Sequence, residues 1–255
     1  MISNAKNELL GPQDYLNAAS NPFEQIVADV YAVYQQRLIR ANAMDFDDLI
    51  LKTVEVLQRY PEAKARFRSR FRHVLVDEYQ DTNHAQYILV KELVGTELEG
   101  QAPAELCVVG DADQSIYGFR GATIRNILQF ELDYPNARTV LLEQNYRSTQ
   151  NILNAANAVI TKNESRKEKN LWSDAGAGSP LTGYVAESEH DEANFIADEI
   201  RSLQREGVST PGDTAIFYRT NAQSRVFEEV FMRNALPYKV VGGLRFYERR
   251  EVKDL

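Results

Sequence analysis

From Pro22 to Ala41 the apolar residues Ile26, Val30, Val33, Tyr34, Leu38 and Ala41 recur every three or four positions. That spacing predicts an amphipathic helix with this stripe turned inward. Asp45 is placed to cap a second helix whose inward face is predicted to be Phe46, Leu49, Ile50, Val54 and Leu57. Asp47 and Asp48 then fall in its first turn, where the helix dipole favours negative charge. This reading of the acidic run is preferred to a metal site. Pro61 suits the first turn of a third helix, which runs into the basic RFRSRFRH of Arg66–His73. A solvated helix face is preferred there to a DNA-phosphate contact.

At His73 the texture changes. Short β-branched runs now alternate with helical periodicity. Strands are predicted at His73–Asp77, Leu106–Val109 and Thr139–Leu142, and helices at Asn83–Val94, Thr123–Phe130 and from a Ser148 cap to about Thr161. Lys162–Ser179 is polar and rich in Gly and Ala, and reads as a surface loop in which Trp172 is a packing anchor. Further strands are predicted at Leu181–Val185, Thr214–Tyr218 and Tyr238–Val241. Helices are predicted at Asp191–Arg205, with Ala193, Ile196, Ile200 and Leu203 inward, and at Ala222–Asn234. Strand–helix alternation implies an α/β fold with parallel sheets covered by helices on both faces.

Composition adds limits. The chain has 255 residues, 44% apolar and 26% charged, with one cysteine, so no internal disulfide is possible. Cys107 lies inside a predicted strand and is expected to be buried. No apolar run approaches the roughly 18 residues of a membrane span, and the N-terminus lacks the basic start and apolar core of a signal peptide. A cytoplasmic location is expected. A net charge of −8 excludes a protein that coats nucleic acid by bulk electrostatics.

The chemistry sits where the first strands end. VLVDEYQD, Val74–Asp81, delivers Asp77 and Glu78, hard oxygen donors suited to Mg²⁺, followed by Gln80 and Asp81. In phosphoryl transfer one such carboxylate holds the metal and the other orients or deprotonates the attacking water. VVGDADQSIYGFRG, Val108–Gly121, delivers Asp111, Asp113 and Gln114 at the next strand's end. Neighbouring parallel strands bring such ends together, so Gln114 can sense a terminal phosphate on the same metal. The third run delivers Gln144, Asn145, Tyr146 and Arg147. The arginine can add positive charge to a transition state, and the tyrosine offers a face for a base.

Taken jointly, DExQ, GDxDQ and QNYR resemble motifs II, III and IV of superfamily-one DNA helicases of the UvrD, PcrA and Rep type. SIYGFRGA (Ser115–Ala122), AIFYRTNAQSR (Ala215–Arg225), the terminal VVGGLRFYERREVKDL and MDFDDLI (Met44–Ile50) extend the resemblance over nearly the whole chain. It implies RecA-like motor domains of the P-loop NTPase type and an ATP-driven motor moving 3′ to 5′ on single-stranded DNA and at single-strand/duplex junctions. By the same resemblance, Asp77 and Glu78 bind Mg²⁺ and activate water, while Gln80, Gln114, Tyr146 and Arg147 face ATP. Gln114 couples the γ-phosphate to DNA, Tyr146 stacks on adenine, and Arg147 is an arginine finger. Tyr117, Phe119 and Arg120, with Arg219 and Asn221, would contact DNA; Phe119 stands where many relatives have tryptophan. Base stacking on aromatics is indifferent to sequence, which suits a translocating motor.

The chain departs from the family in one respect. No G-x-x-x-x-G-K-[ST] phosphate loop occurs in its residues; GTELEGQA, Gly95–Ala102, has the glycine spacing but Gln101 and Ala102 in place of the lysine and hydroxyl. The chain is therefore expected to be an interior segment, inactive as an ATPase alone. Its expected parts are a helical end of an accessory domain at 1–70, the second part of motor domain one at 71–137 and the first part of motor domain two at 138–255. The alternatives are a subunit of a RecB/AddA-like helicase-nuclease and a non-catalytic interaction module.

Overall fold

The computed structural model describes residues 1–95, 102–118, 125–128, 130–163 and 168–242. Phe119, Arg120, the start of the helix expected at Thr123, most of GTELEGQA and the terminal GLRFYERREVKDL lie outside them. The chain falls into two compact units, Met1–Ser179 and the residues from Pro180 onward.

The first unit begins with five helices: α1 (Ile2–Asn7), α2 (Pro12–Ala18), α3 (Pro22–Arg40), α4 (Phe46–Arg59) and α5 (Pro61–Arg70). Asp45 caps α4 as expected: its side chain accepts from the Asp48 amide, while the Asp48 side chain returns to the Asp45 amide. The same two aspartates hold a buried lysine. Lys6 Nζ lies 2.7 Å from Asp45 Oδ2 and 2.9 Å from Asp48 Oδ1, with its side chain sealed from solvent. Tyr34 donates to Asp45 and Gln35 to Asp48, so α1, α3 and α4 meet at one ionic knot. Burial pulls the Lys6 pKa down, but hydrogen bonds and charge from the two aspartates outweigh it and leave it raised.

This knot turns α3 the other way round from the periodicity reading. The buried face of α3 is Ala28, Tyr31 and Gln35, with Tyr31 donating to Leu10 O. Ile26, Val30 and Val33 lie on the opposite side and are exposed, as are Phe46 and Leu49 of α4. Leu51, Val54 and Leu57 supply the buried face of α4. Ile26, Val30 and Val33 find no cover among the described residues and only Leu38 of the stripe is half-buried, whereas Tyr31 and Gln35 gain partners inside.

Next come β1 (His73–Val76), α6 (His84–Val94) and β2 (Glu105–Val108), a parallel pair joined by a crossover helix. Asn83 and Gln86 form a reciprocal cap at the start of α6. The register sets Val74 beside Leu106 and Leu75 beside Cys107. Val74, Val76, Leu106 and Val108 are partly covered, while Leu75 and Cys107 share the other face and are exposed. Cys107 is therefore not the buried side chain expected, because among the described residues helices cover this sheet on one face only. The strand expected at Thr139–Leu142 is absent. Val140 and Leu142 are exposed, and the one bridge in this region pairs Gln144 with Trp172. An extended run without a neighbouring strand has no ladder to join.

Short helices α7 (Arg125–Leu128) and α8 (Phe130–Asp133) precede α9 (Gln150–Ile160). Thr149, not Ser148, stands at the N-cap of α9. The first amides of α9 are satisfied by Gly176 O and Ala177 O. Gly176 and Ala177 thus cap a helix, and Trp172 is tied by backbone bonds to Glu143 and Asn145, but its side chain is exposed and is not the packing anchor expected.

The second unit packs α10 (Glu189–Arg205) on α11 (Ser224–Arg233). Ala193, Ala197, Ile200, Val230, Phe231 and Leu236 form its core, with Ile196 partly buried against them. The expected strands at Leu181–Val185, Thr214–Tyr218 and Tyr238–Val241 do not form; Val185 and Phe217 are almost fully exposed.

Three outcomes test these points. Lys6→Met leaves two carboxylates without their cation and is expected to cost about 3–5 kcal/mol, read as a lower urea midpoint. Tyr34→Phe removes one hydrogen bond at the rim and should cost about 1 kcal/mol. In the folded chain, Cys107 should react stoichiometrically with a thiol reagent without denaturant; protection until unfolding would place it in a core.

Candidate functional site

The ends of β1 and β2 are stitched together by backbone first. Val109 N donates to Val76 O at 2.8 Å, and Tyr79 N donates to Val109 O at 3.0 Å. Between these bonds the chain turns sharply at Glu78, whose φ of 50° and ψ of 41° place a non-glycine residue in the left-handed region. Such a conformation costs roughly 1–2 kcal/mol, and strained residues of this kind cluster at functional sites. Asp77 Oδ1 accepts from the Glu78 amide at 2.9 Å and steadies the turn. Tyr79 is fully buried and packs edge-to-face on Phe130 with ring centres 5.6 Å apart, which fixes the turn to the helical layer.

Gln80, also buried, spans the two strand ends. Its Nε2 donates to Glu78 Oε2 at 2.7 Å and its Oε1 accepts from Asp111 N at 2.9 Å. Its own carbonyl accepts from Ser115 Oγ at 3.3 Å. Asp111 then organises the second loop: Oδ1 accepts from Asp113 N at 2.9 Å, and Oδ2 accepts from Gln114 Nε2 at 2.8 Å. The structure thereby brings Asp77, Glu78, Gln80, Asp111 and Gln114 into one hydrogen-bonded group.

Two residues of this group were not picked out from sequence. A Cβ at Gly110 would stand 2.7 Å from Gln80 Oε1 and 2.9 Å from Ile127 Cδ1, so glycine allows the Gln80 amide to reach Asp111. Lys169 Nζ binds Asp111 Oδ1 and lies 3.5 Å from Asp113 Oδ2. Burial pushes the Asp111 carboxyl up, but Lys169 and Gln114 hold it below the ordinary aspartate value. A carboxyl held low adds stability above its unfolded pKa and loses it as the pH falls through the depressed value. The glycine spacing after a strand was the only sequence signal for Gly110. Lys169 had none, because it sits in a charged stretch that reads as solvated.

The third motif stands apart from the acids but is tied to them through Lys169. Glu143 accepts from the Asn170 amide at 2.8 Å, and Gln144 bridges Trp172. Tyr146 is exposed, its hydroxyl donating to Gln144 Oε1 at 2.9 Å. Arg147 is exposed too, with its amide held by Asn145 Oδ1 at 2.9 Å. Neither side chain bonds to Asp77 or Glu78 among the described residues. Tyr117 lies partly exposed beyond Gln114. In the second unit, Arg219 and Asn221 are exposed beside a short turn in which Gln223 accepts from the Arg219 amide at 2.9 Å.

Among the described residues no three acidic, His or Cys side chains converge to make a metal cage. Mg²⁺ does not ordinarily need one, since one or two carboxylates plus substrate phosphates suffice. Asp77 and Glu78, exposed at a strand end, fit that requirement.

The glycine can be tested alone. Gly110→Ala must displace the Gln80 amide, and is expected to cost about 1–3 kcal/mol and to perturb the Asp111 and Glu78 amide resonances together.

Residues 1–135 match the UvrD/REP helicase N-terminal domain and residues 140–255 the UvrD-like helicase C-terminal domain. The chain is 62% identical over 258 residues to ATP-dependent DNA helicase UvrD1 of Mycobacterium tuberculosis. It is 54% identical over 255 residues to ATP-dependent DNA helicase PcrA of Leuconostoc citreum, and 50% over 254 residues to PcrA of Bacillus subtilis. Each alignment covers 100% of this chain but 34%, 33% and 34% of the respective relatives, so the chain spans about a third of their length. With one family match covering more than half of its residues and a second taking up most of the rest, the chain belongs to the UvrD/REP helicase family, whose domains are RecA-like.

Proposed function

We propose that this chain is the central part of an ATP-dependent DNA helicase that moves 3′ to 5′ on single-stranded DNA, acts at single-strand/duplex junctions and serves DNA repair or replication in the cytoplasm. The observation that supports this best is the Gln80-linked pair of strand ends, where Glu78 and Asp111 share one buried amide. In this reading Asp77 and Glu78 hold Mg²⁺, which supplies charge neutralisation to ATP phosphates when bound. Glu78 takes a proton from the attacking water, its carboxylate aimed by Gln80. Gln114 reports the state of the terminal phosphate to the segment that follows it, where Tyr117, Phe119 and Arg120 meet DNA. Tyr146 stacks on the base and Arg147 supplies charge at the transition state, with Arg219 and Asn221 as further DNA contacts. The division at 1–70, 71–137 and 138–255 into an accessory segment and two partial motor domains belongs to the same reading.

Within its 255 residues the chain carries no lysine-bearing phosphate loop, so on its own it should hydrolyse ATP no faster with single-stranded DNA than without. DNA-stimulated turnover that Glu78→Gln abolishes would contradict this. In a protein carrying the chain at the full length of its relatives, Glu78→Gln should lower kcat for ATP by on the order of 10²-fold or more while single-stranded DNA binding persists. Duplexes with a 3′ single-stranded tail should be unwound and those with a 5′ tail left intact. Equal loss of DNA binding and turnover would argue against the role given to Glu78.

A further inference from the structure

Asp111 is the most heavily engaged acid in the described residues of the site, and its partners come from both sides of the family boundary. Gln114 and the Asp113 amide belong to the region matched by the N-terminal domain. Lys169 belongs to the region matched by the C-terminal domain, yet it lies in the same compact unit. The contact is well shielded: the side chains of Lys169, Asp111 and Asp113 are 18%, 25% and 10% exposed. Lys169 is also held in place from behind. The next residue, Asn170, donates its amide to Glu143 and accepts from Asn157 of α9, and Trp172 bridges Gln144. The ammonium thus rides on a stretch of chain hydrogen-bonded to the one that leads into Tyr146 and Arg147.

We propose that Lys169 is a positioning residue for Gln114: by fixing Asp111 from the second family domain, it sets the orientation of the Gln114 amide in the first. Asp111 divides its two oxygens. Oδ1 faces Lys169 and the Asp113 amide, while Oδ2 receives Gln114 Nε2. A carboxylate pinned at one oxygen by a cation presents the other in a fixed direction, and charge-assisted hydrogen bonds are about twice as strong as neutral ones. Withdrawing the ammonium frees Asp111 to rotate and releases Gln114. Because Lys169 travels with the Glu143–Arg147 segment, any shift of that segment against β2 changes how firmly Gln114 is held. The linkage gives the two family domains a contact that does not pass through nucleotide.

The inference rests on the reading of Gln114 as a coupling residue for its functional meaning, but its structural content is tested without ATP or DNA. In uniformly ¹⁵N-labelled chain, the Gln114 side-chain amide pair is identified by its absence from Gln114→Glu. Lys169→Met should shift that pair and speed its exchange with water about tenfold, the loss of one charge-assisted hydrogen bond. Lys169→Arg should restore both. Asp111→Asn should produce the same change, and Lys169→Met added to it should do nothing more. The Val76 and Val108 amides report on the sheet and should stay where they are throughout. An unmoved Gln114 pair in folded Lys169→Met, or failure of Lys169→Arg to restore it, overturns the proposal. If Lys169→Met does not fold, Lys169→Gln replaces it; loss of fold there too overturns the proposal, since it would make Lys169 a general support of the structure. Failure of ATP turnover or DNA binding in other experiments would leave these outcomes untouched.

Discussion

Beyond the backbone bonds that pair the strand ends, a single buried side chain, Gln80, carries the side-chain hydrogen bonds that join Glu78 to the Asp111 loop. β1 and β2 are adjacent because their backbones pair in register, but adjacency alone leaves two acidic loops free to repel each other. The Gln80 amide resolves this by donating to Glu78 and accepting from the Asp111 backbone, so neither loop has to approach the other through like charges. The remaining parts depend on that bridge. Gly110 gives it room, Tyr79 locks the turn that aims it, and Asp111 hands its order on to Gln114 and Lys169.

The energetic balance is local and tight. The left-handed Glu78 costs roughly 1–2 kcal/mol, and an amide buried without partners would cost about 1–3 kcal/mol more. Against these costs, the turn gives both polar atoms of the Gln80 amide a partner and places the Tyr79 ring in the core, where its hydroxyl has no partner among the described residues. A similar economy operates at the other end of the unit. Asp45 and Asp48 serve at once as helix cap and as counter-ions for Lys6, so the acidic run that opens α4 also joins three helices.

The placing of acids and amides at two adjoining strand ends was legible in the sequence, because short β-branched runs there empty directly into Asp77–Glu78 and Asp111–Gln114. Asp77, Glu78, Asp111 and Gln114 were found by residue type and order, and caps such as Asp45 followed from the acidic run after a break. Faces were less legible. Ile26, Val30 and Val33 announce an apolar stripe, but periodicity does not say whether a partner is present to cover it; in α3 the partners lie opposite, with Tyr31 and Gln35. Val140, Val185 and Phe217 likewise have strand-forming side chains, yet β structure depends on a neighbour that no local pattern contains. Lys169 escaped notice because one lysine in a charged stretch looks like any other until the fold brings Asp111 to it. Phe119 and Arg120 lie outside the described residues, so their part of the reading stays with the sequence.

The most direct measurement of the Gln80 bridge is hydrogen exchange of two neighbouring amides in wild type and Gln80→Met. The Asp111 amide bonds to Gln80 Oε1, whereas the Val109 amide bonds to Val76 O in the strand pair. If Gln80 joins the strand ends, Asp111 exchange should rise about tenfold on loss of that bond while Val109 keeps its protection. Unchanged exchange at Asp111, or equal acceleration at both amides, would show that the two loops are held together by something other than Gln80.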